Sequence, residues 1–173
     1  MLEPVTIRRA IAEDWRPYRE LRLRSLHIAP DAYGSNHADE LAMPETWWRE
    51  RLIGSHTLVA EDAGRAVGIG TGIGDRHEVG SREIVGLWVE PEVRGRGVAT
   101  SLIEGLAAWA RADGAGAIAL WVADGNDAAL RLYQARGFMV TGERDLVRGT
   151  LMEERMRRSL EPRDSVRRSG SRD

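Results

Sequence analysis

The sequence contains no cysteine and no lysine, and each absence excludes a group of functions. Without cysteine the chain has no disulfide bond, no thiolate metal site and no covalent intermediate on a thiol. Without lysine it has no P-loop, whose lysine reaches the phosphates of a nucleotide, and no Schiff-base chemistry. All 25 of its Lys-or-Arg positions are therefore arginine.

A strong net charge and long apolar runs are also missing. The net charge is −2, so electrostatics gives no argument for a nucleic-acid or membrane partner. No apolar run approaches the roughly 20 residues of a membrane-spanning helix, and the first residues lack the basic-then-apolar order of a signal peptide. The four histidines show no ligand spacing, so we expect no metal site. We predict a cytoplasmic protein.

What the sequence does contain is the pattern of one α/β domain. Hydrophobic residues make up 42% of the 173 positions, enough for a substantial core. Alternating and helical periodicities predict the order βααβββαβαββ, a mixed central sheet of about seven strands with helices on both faces. The continuous apolar run at 117–123 predicts a central parallel strand. We expect this domain to span 1–160 and the polar segment 161–173 to be disordered.

The connection at 89–100, V-E-P-E-V-R-G-R-G-V-A-T, is richer in glycine and arginine than a strand-to-helix turn needs. A helix N-terminus carries unpaired N–H groups and partial positive charge, which favour an anion. Gly95 and Gly97 lack a Cβ that would block close approach, and Arg94 and Arg96 suit phosphate oxygens. The segment therefore predicts a pyrophosphate site, with a plain turn and solvated arginines as the alternative.

Two segments carry a resemblance to a known family. R-G-R-G-V-A at 94–99 and N-D-A-A-L-R-L-Y-Q-A-R-G-F at 126–138 resemble the two signatures of the GNAT acetyltransferase superfamily, and the element order from 5 to 157 agrees. The resemblance implies a GNAT-like fold and an acetyl-CoA-dependent N-acetyltransferase acting by direct attack in a ternary complex. It leaves the acceptor open between a small amine, an antibiotic-like amine, and a protein N-terminus or lysine. Another acyl-CoA donor, a hydroxyl acceptor, a non-catalytic CoA-binding module and a homodimer also stay open.

The resemblance further implies which residues contact acetyl-CoA. They belong to one strand end, the glycine-rich turn and the second signature: Leu87, Trp88, Val89, Arg94, Gly95, Arg96, Gly97, Val98, Ala99, Thr100, Asn126 and Tyr133. For the donor to pair with the strand, the strands at 83–89 and 117–123 must separate, and Gly86 is the residue expected to permit a bulge there. Asn126 can also serve as a helix N-cap.

For the chemistry, the resemblance assigns Tyr133 as general acid and Glu83 as general base. A carboxylate between apolar strands has a raised pKa and suits proton abstraction, although Glu83 as a solvated strand end, with water as the base, is the alternative. The resemblance nominates for the acceptor groove the side chains Tyr33, Ser35, Trp47, Trp48 and His77. Trp47 and Trp48 are adjacent in a helix and cannot share a face, so we expect one of them to be core packing.

Overall fold

In the computed structural model, which describes residues 5–32 and 34–160, the chain forms one seven-stranded sheet with five α-helices. The strands are β1 (Thr6–Arg9), β2 (His56–Asp62), β3 (Arg65–Gly74), β4 (Ser81–Val89), β5 (Ala117–Ala123), β6 (Met139–Arg148) and β7 (Leu151–Ser159). The helices are α1 (Trp15–Ile28), α2 (His37–Leu41), α3 (Glu45–Ile53), α4 (Val98–Ala112) and α5 (Asp127–Ala135). The predictions for Tyr33 and for 161–173 lie outside the described residues.

The sheet order is β1-β2-β3-β4-β5-β7-β6, with a parallel pair at β4 and β5 and antiparallel pairs elsewhere. This confirms the predicted mixed sheet and its central parallel strand. One element was not predicted, because α2 is only five residues long and too short to show a helical period. Its start is fixed by Asn36, whose side chain accepts a hydrogen bond from the Asp39 N–H.

Two hydrophobic cores lie on opposite faces of the sheet. The first contains the apolar stripe of α4, including Leu102, Ile103 and Leu106, together with Tyr133 of α5. The second packs α1 and α3 against the other face and includes Tyr18 and Trp48. On β2, Leu58 belongs to the first core and Val59 to the second, as the alternation of a strand requires. The prediction of helices on both faces is confirmed.

The ladder between β4 and β5 stops before either strand ends. The register pairs Ser81 with Ala117 and ends at Ile84 and Leu120, although the strands continue to Val89 and Ala123. Gly86 has φ +62°, and the pairing of β4 with β3 is irregular at this place. Because a bulge inserts one extra residue, it bends the strand and breaks the pairing beyond it. The predicted separation of these strands, with Gly86 at its origin, is confirmed.

Among the described residues, no helix has the length and apolar content to cross a membrane.

Candidate active site

The opening between β4 and β5 holds a cavity of about 790 Å³, within the range of small-molecule sites. Its walls come from four parts of the fold: 83–89 on β4, 120–123 on β5, the turn and first residues of α4 (Arg94, Gly95, 97–100), and α5 with its cap (Asn126, Ala128, Ala129, Leu132, Tyr133). Ala29, Ala32, Gly34 and Glu153 complete the lining. The cavity therefore joins the two sequence signatures in one place.

The glycine-rich turn forms an open backbone cradle at one end of this cavity. Gly95 and Gly97 both have φ +79°, and among the described residues, apart from each glycine and its chain neighbours, no atom lies within 4 Å of the position that a Cβ would occupy. Gly97 is the N-cap of α4, and no side chain caps the helix there. The N–H groups of the first turn therefore face a space that can admit an anion.

The two arginines of the turn point to different places. Arg94 lines the cavity, where its Nε donates to the Val89 carbonyl at 3.0 Å and its guanidinium lies 4.7 Å from the Trp88 ring centroid. Arg96 is ion-paired with Asp62 on β2, Nη1 to Oδ2 at 2.6 Å, and does not line the cavity. Of the two predicted phosphate ligands, Arg94 alone contributes to the cavity wall.

Trp88 places a buried hydrogen-bond donor in the cavity wall. The residue is 6% exposed, and its indole N–H has no acceptor within the described part of the chain. A buried donor without a partner costs about 1–3 kcal/mol relative to a satisfied one. A polar group bound in the cavity could relieve that penalty.

The second signature places Tyr133 and Asn126 on the α5 side of the cavity. Tyr133 is 9% exposed and its ring lies 6.1 Å from that of Phe138, so packing restricts its orientation. The Asn126 side chain accepts a hydrogen bond from the Ala129 N–H at 3.2 Å, and its role as N-cap is thereby confirmed. Both residues line the cavity.

Glu83 lies at the other end of the cavity and is only 7% exposed. No hydrogen bond or ion pair to its carboxylate is found among the described residues. Burial, with the charge of Asp75 as a second cause, raises its pKa. His77, Arg76 and Arg155 oppose this shift without cancelling it. The carboxylate thus has the burial and the raised pKa expected of a proton acceptor.

A buried ion-pair network holds the loop beside Glu83. The Arg155 guanidinium of β7, 3% exposed, pairs with the fully buried carboxylate of Asp75 and with Glu143. Asp75 also accepts a hydrogen bond from the His77 N–H at 2.8 Å. Burial raises the pKa of Asp75, but these hydrogen bonds and the charge of Arg155 outweigh it, and the pKa is lowered overall. The loop between β3 and β4 is therefore fixed by charge.

Of the nominated acceptor residues, the four that the structure describes do not line the cavity: Ser35, Trp47, Trp48 and His77. Ser35 hydrogen-bonds the Glu40 carboxylate. Trp47 packs edge to face on Trp48 at 4.8 Å between ring centroids. Trp48 is fully buried and its indole N–H donates to the Met43 carbonyl, so it is the core member of the pair.

His77 contacts a residue of the cavity wall: its ring centroid lies 5.1 Å from that of Trp121, and Trp121 lines the cavity.

Several cavity residues were missed from the sequence: Ala29, Ala32, Gly34, Trp121 and Glu153. Trp121 lies inside a continuous apolar run, where a tryptophan is ordinarily core, and Glu153 lies in a charged segment that looks solvated. The small residues come from the connection after α1, which has no periodicity. Within the described residues, no group of three or more histidine or acidic side chains is arranged to hold a metal ion.

Comparison with known proteins gives a family match. Residues 11–138 match the sequence profile of the Acetyltransferase (GNAT) family. An uncharacterized N-acetyltransferase, MJ1207 of Methanocaldococcus jannaschii, is 36% identical over 69 residues, which cover 40% of this chain and 29% of that protein. The chain thus matches less than a third of the length of this curated relative.

Solved structures show the same fold. A GNAT-family acetyltransferase from Streptococcus pneumoniae superposes with a TM-score of 0.75 at 20% identity, covering 91% of this chain and 99% of that one. A structure of yncA from Salmonella typhimurium, described as an acetyltransferase with its cofactor acetyl-CoA, has a TM-score of 0.72 at 24% identity, covering 92% and 96%.

The isolated carboxylate of Glu83 predicts a pH-dependent effect on stability. A group whose folded-state pKa is raised contributes stability below its ordinary pKa of 4.5 and loses that contribution as the pH rises. Glu83→Gln carries no charge and escapes this loss. The free energy of unfolding of Glu83→Gln minus that of wild type should therefore be larger near pH 8 than near pH 4, which means a relative gain in stability. Urea denaturation at the two pH values measures it.

The exposed Glu50→Gln on α3 is the control and should show no such trend. An equal difference between Glu83→Gln and wild type at both pH values would contradict the prediction.

Proposed function

The chain belongs to the GNAT family of acetyltransferases, and from that membership we propose that it is an acetyl-CoA-dependent N-acetyltransferase. In this proposal the acceptor is a primary amine that attacks directly while both substrates are bound. The main support for this proposal is that one cavity contains the open β4–β5 edge, the glycine cradle and two buried titratable side chains, Glu83 and Tyr133.

Acetyl-CoA supplies an acetyl group activated as a thioester. The residues present fit such a donor: the backbone cradle at 95–100 suits its pyrophosphate, and Arg94 adds a positive charge at the cavity wall. The end of β4 at 87–89 suits the amides of its pantetheine arm. The Val89 carbonyl already accepts from Arg94, which holds the strand edge in place. The unpaired indole N–H of Trp88 is a further donor there.

In the proposed chemistry, Glu83 and Tyr133 each move one proton, Glu83 on the amine side of the reacting carbonyl carbon and Tyr133 on the sulfur side. The amide N–C bond forms as the thioester C–S bond breaks. Glu83 accepts the proton released by the amine, directly or through one water, and Tyr133 donates a proton to the departing sulfur. The raised pKa of Glu83 and the restricted ring of Tyr133 support these assignments.

The donor site is tested by Gly97→Glu, which adds a negative charge and a side chain to the cradle. Acetyl-CoA should raise the Tm of wild type strongly and that of Gly97→Glu little, measured by thermal unfolding with and without donor. Gly114→Glu is the matched control: Gly114 has φ +78°, open space around it and no contact with the cavity, and it follows the opposite end of α4. Equal donor-induced shifts for the two variants would exclude the cradle as the donor site.

The acid is tested by Tyr133→Phe, which keeps the ring and removes the hydroxyl. We expect kcat to fall by roughly 10- to 1000-fold with donor affinity almost unchanged, measured as release of free CoA over a panel of amines. Tyr18→Phe removes a hydroxyl from a core tyrosine outside the cavity and should keep kcat within about twofold. An undiminished kcat in Tyr133→Phe would remove this residue from the chemistry.

The base is tested by the pH dependence of kcat/KM. A general base acts when deprotonated, so the rate of wild type should rise with pH through the raised pKa of Glu83. In Glu83→Gln this rise of kcat/KM with pH should vanish or shift to another pH. At pH values above the rise seen in wild type, kcat/KM of the variant should be lower by about 100-fold or more. An unchanged profile would place the base elsewhere.

A further inference from the structure

The face of the cavity that includes Glu83 carries more negative charge than the fold neutralises. Glu83 and Glu153 both line the cavity, and the β6–β7 register sets Asp145 directly opposite Glu153. Like charges facing each other across a strand pair are destabilising. Burial raises the pKa of Glu153, and the charges of Asp145 and Glu83 raise it further, against the effect of His77.

The neighbouring arginines offset these carboxylates only in part, because they are ion-paired with other acidic side chains. Arg155 pairs with Asp75 and Glu143, and Arg144 pairs with Asp124. Arg157 pairs with Glu78 at 2.7 Å.

Within the described residues, the carboxylates of Glu83 and Glu153 have no hydrogen bond and no ion pair. Glu83 is more than nine-tenths buried, so its carboxylate is an unpartnered polar group directed at the cavity.

The aromatic lining beside these carboxylates also favours a cation. Trp121 and Ala123 are alternate residues of β5, and Ala123 pairs with Glu153, so Trp121 and Glu153 lie on the same face of the sheet. An aromatic face attracts an ammonium group, and the attraction grows when the site is desolvated. The described acidic residues are not arranged for a metal ion, so an organic cation is the occupant that this chemistry fits.

We propose, resting on the proposed function, that the acceptor is a small amine with a second positive charge, such as a diamine or polyamine, and that Glu153 is its specificity-determining residue. The amine to be acetylated lies toward Glu83, while Glu153 and Asp145 hold the distal ammonium. A monoamine of equal length makes only the first contact and binds less tightly.

The test compares 1,5-diaminopentane with 1-aminopentane, which has the same chain but one charge. Each is titrated by calorimetry into protein saturated with CoA and then assayed as acceptor with acetyl-CoA. Wild type should favour the diamine by about 10-fold or more in Kd and in kcat/KM, the size expected for a charged hydrogen bond. Glu153→Gln should lose this preference, because its KM rises much more for the diamine than for the monoamine.

The matched control is Glu154→Gln, the same change one residue along β7. Glu154 pairs in register with Arg144, points to the other face of the sheet and does not line the cavity, so its variant should behave as wild type. A general loss of stability would affect both variants alike, whereas the proposal requires a loss of diamine selectivity in Glu153→Gln alone.

The outcomes separate this inference from the proposed function. If acetyl-CoA raises the Tm and amines release CoA, but Glu153→Gln keeps the diamine preference or wild type has none, the inference about Glu153 is overturned and the proposed function stands. If a lysine-containing peptide assayed in parallel is a better acceptor than 1,5-diaminopentane, the inference is overturned as well. If acetyl-CoA neither binds nor reacts, the proposed function fails and the inference fails with it.

Discussion

The site depends on one interruption of backbone pairing, where β4 leaves β5 after Ile84. Gly86 makes this possible, because it takes φ +62° and lets the strand bulge. The bulge has a second effect: one extra residue reverses the alternation, so that Ile84 and Val89 pack in the first core and Trp88 in the second. A continuous ladder would close the cavity and turn the Trp88 indole to the other face.

Charged groups around the cavity divide into those that hold the fold and those left for a ligand. Arg22 of α1 and Glu40 of α2 form a nearly fully buried ion pair at 2.8 Å, and a Cβ at Gly86 would lie 3.6 Å from the Arg22 Nη1. Burial raises the pKa of Glu40, but Arg22, Arg51 and Ser35 together outweigh it and the pKa is lowered. Removing one member of such a pair is costly because the other stays charged and buried. Among the described residues the carboxylates of Glu83 and Glu153 have no such partner, so they do not hold the fold in this way.

The predicted residues that line the cavity come mostly from two continuous segments of the chain. The turn at 94–100 and the helix at 126–136 each contain the glycine, capping and polar residues that determine their conformation. Neighbouring residues therefore suffice to predict their backbone. Even there, the sequence could not decide that Arg96 would pair with Asp62 on β2 while Arg94 stacks on Trp88. Of the residues nominated for the acceptor, Ser35 and Trp47 lie outside the cavity wall, whereas Trp121 and Glu153, which were not nominated, lie in it.

By itself the sequence determined the α/β class, the seven strands, the glycine-rich strand-to-helix turn and Gly86 as the place where a strand bulges. These follow from periodicity, glycine conformation and helix ends, which are properties of neighbouring residues. The tertiary structure alone decided which carboxylates share a cavity, because Glu83 and Glu153 come from β4 and β7 and meet only through the order of the sheet. Charge interactions depend on distance in space and on burial, and neither is written in the spacing of residues along the chain.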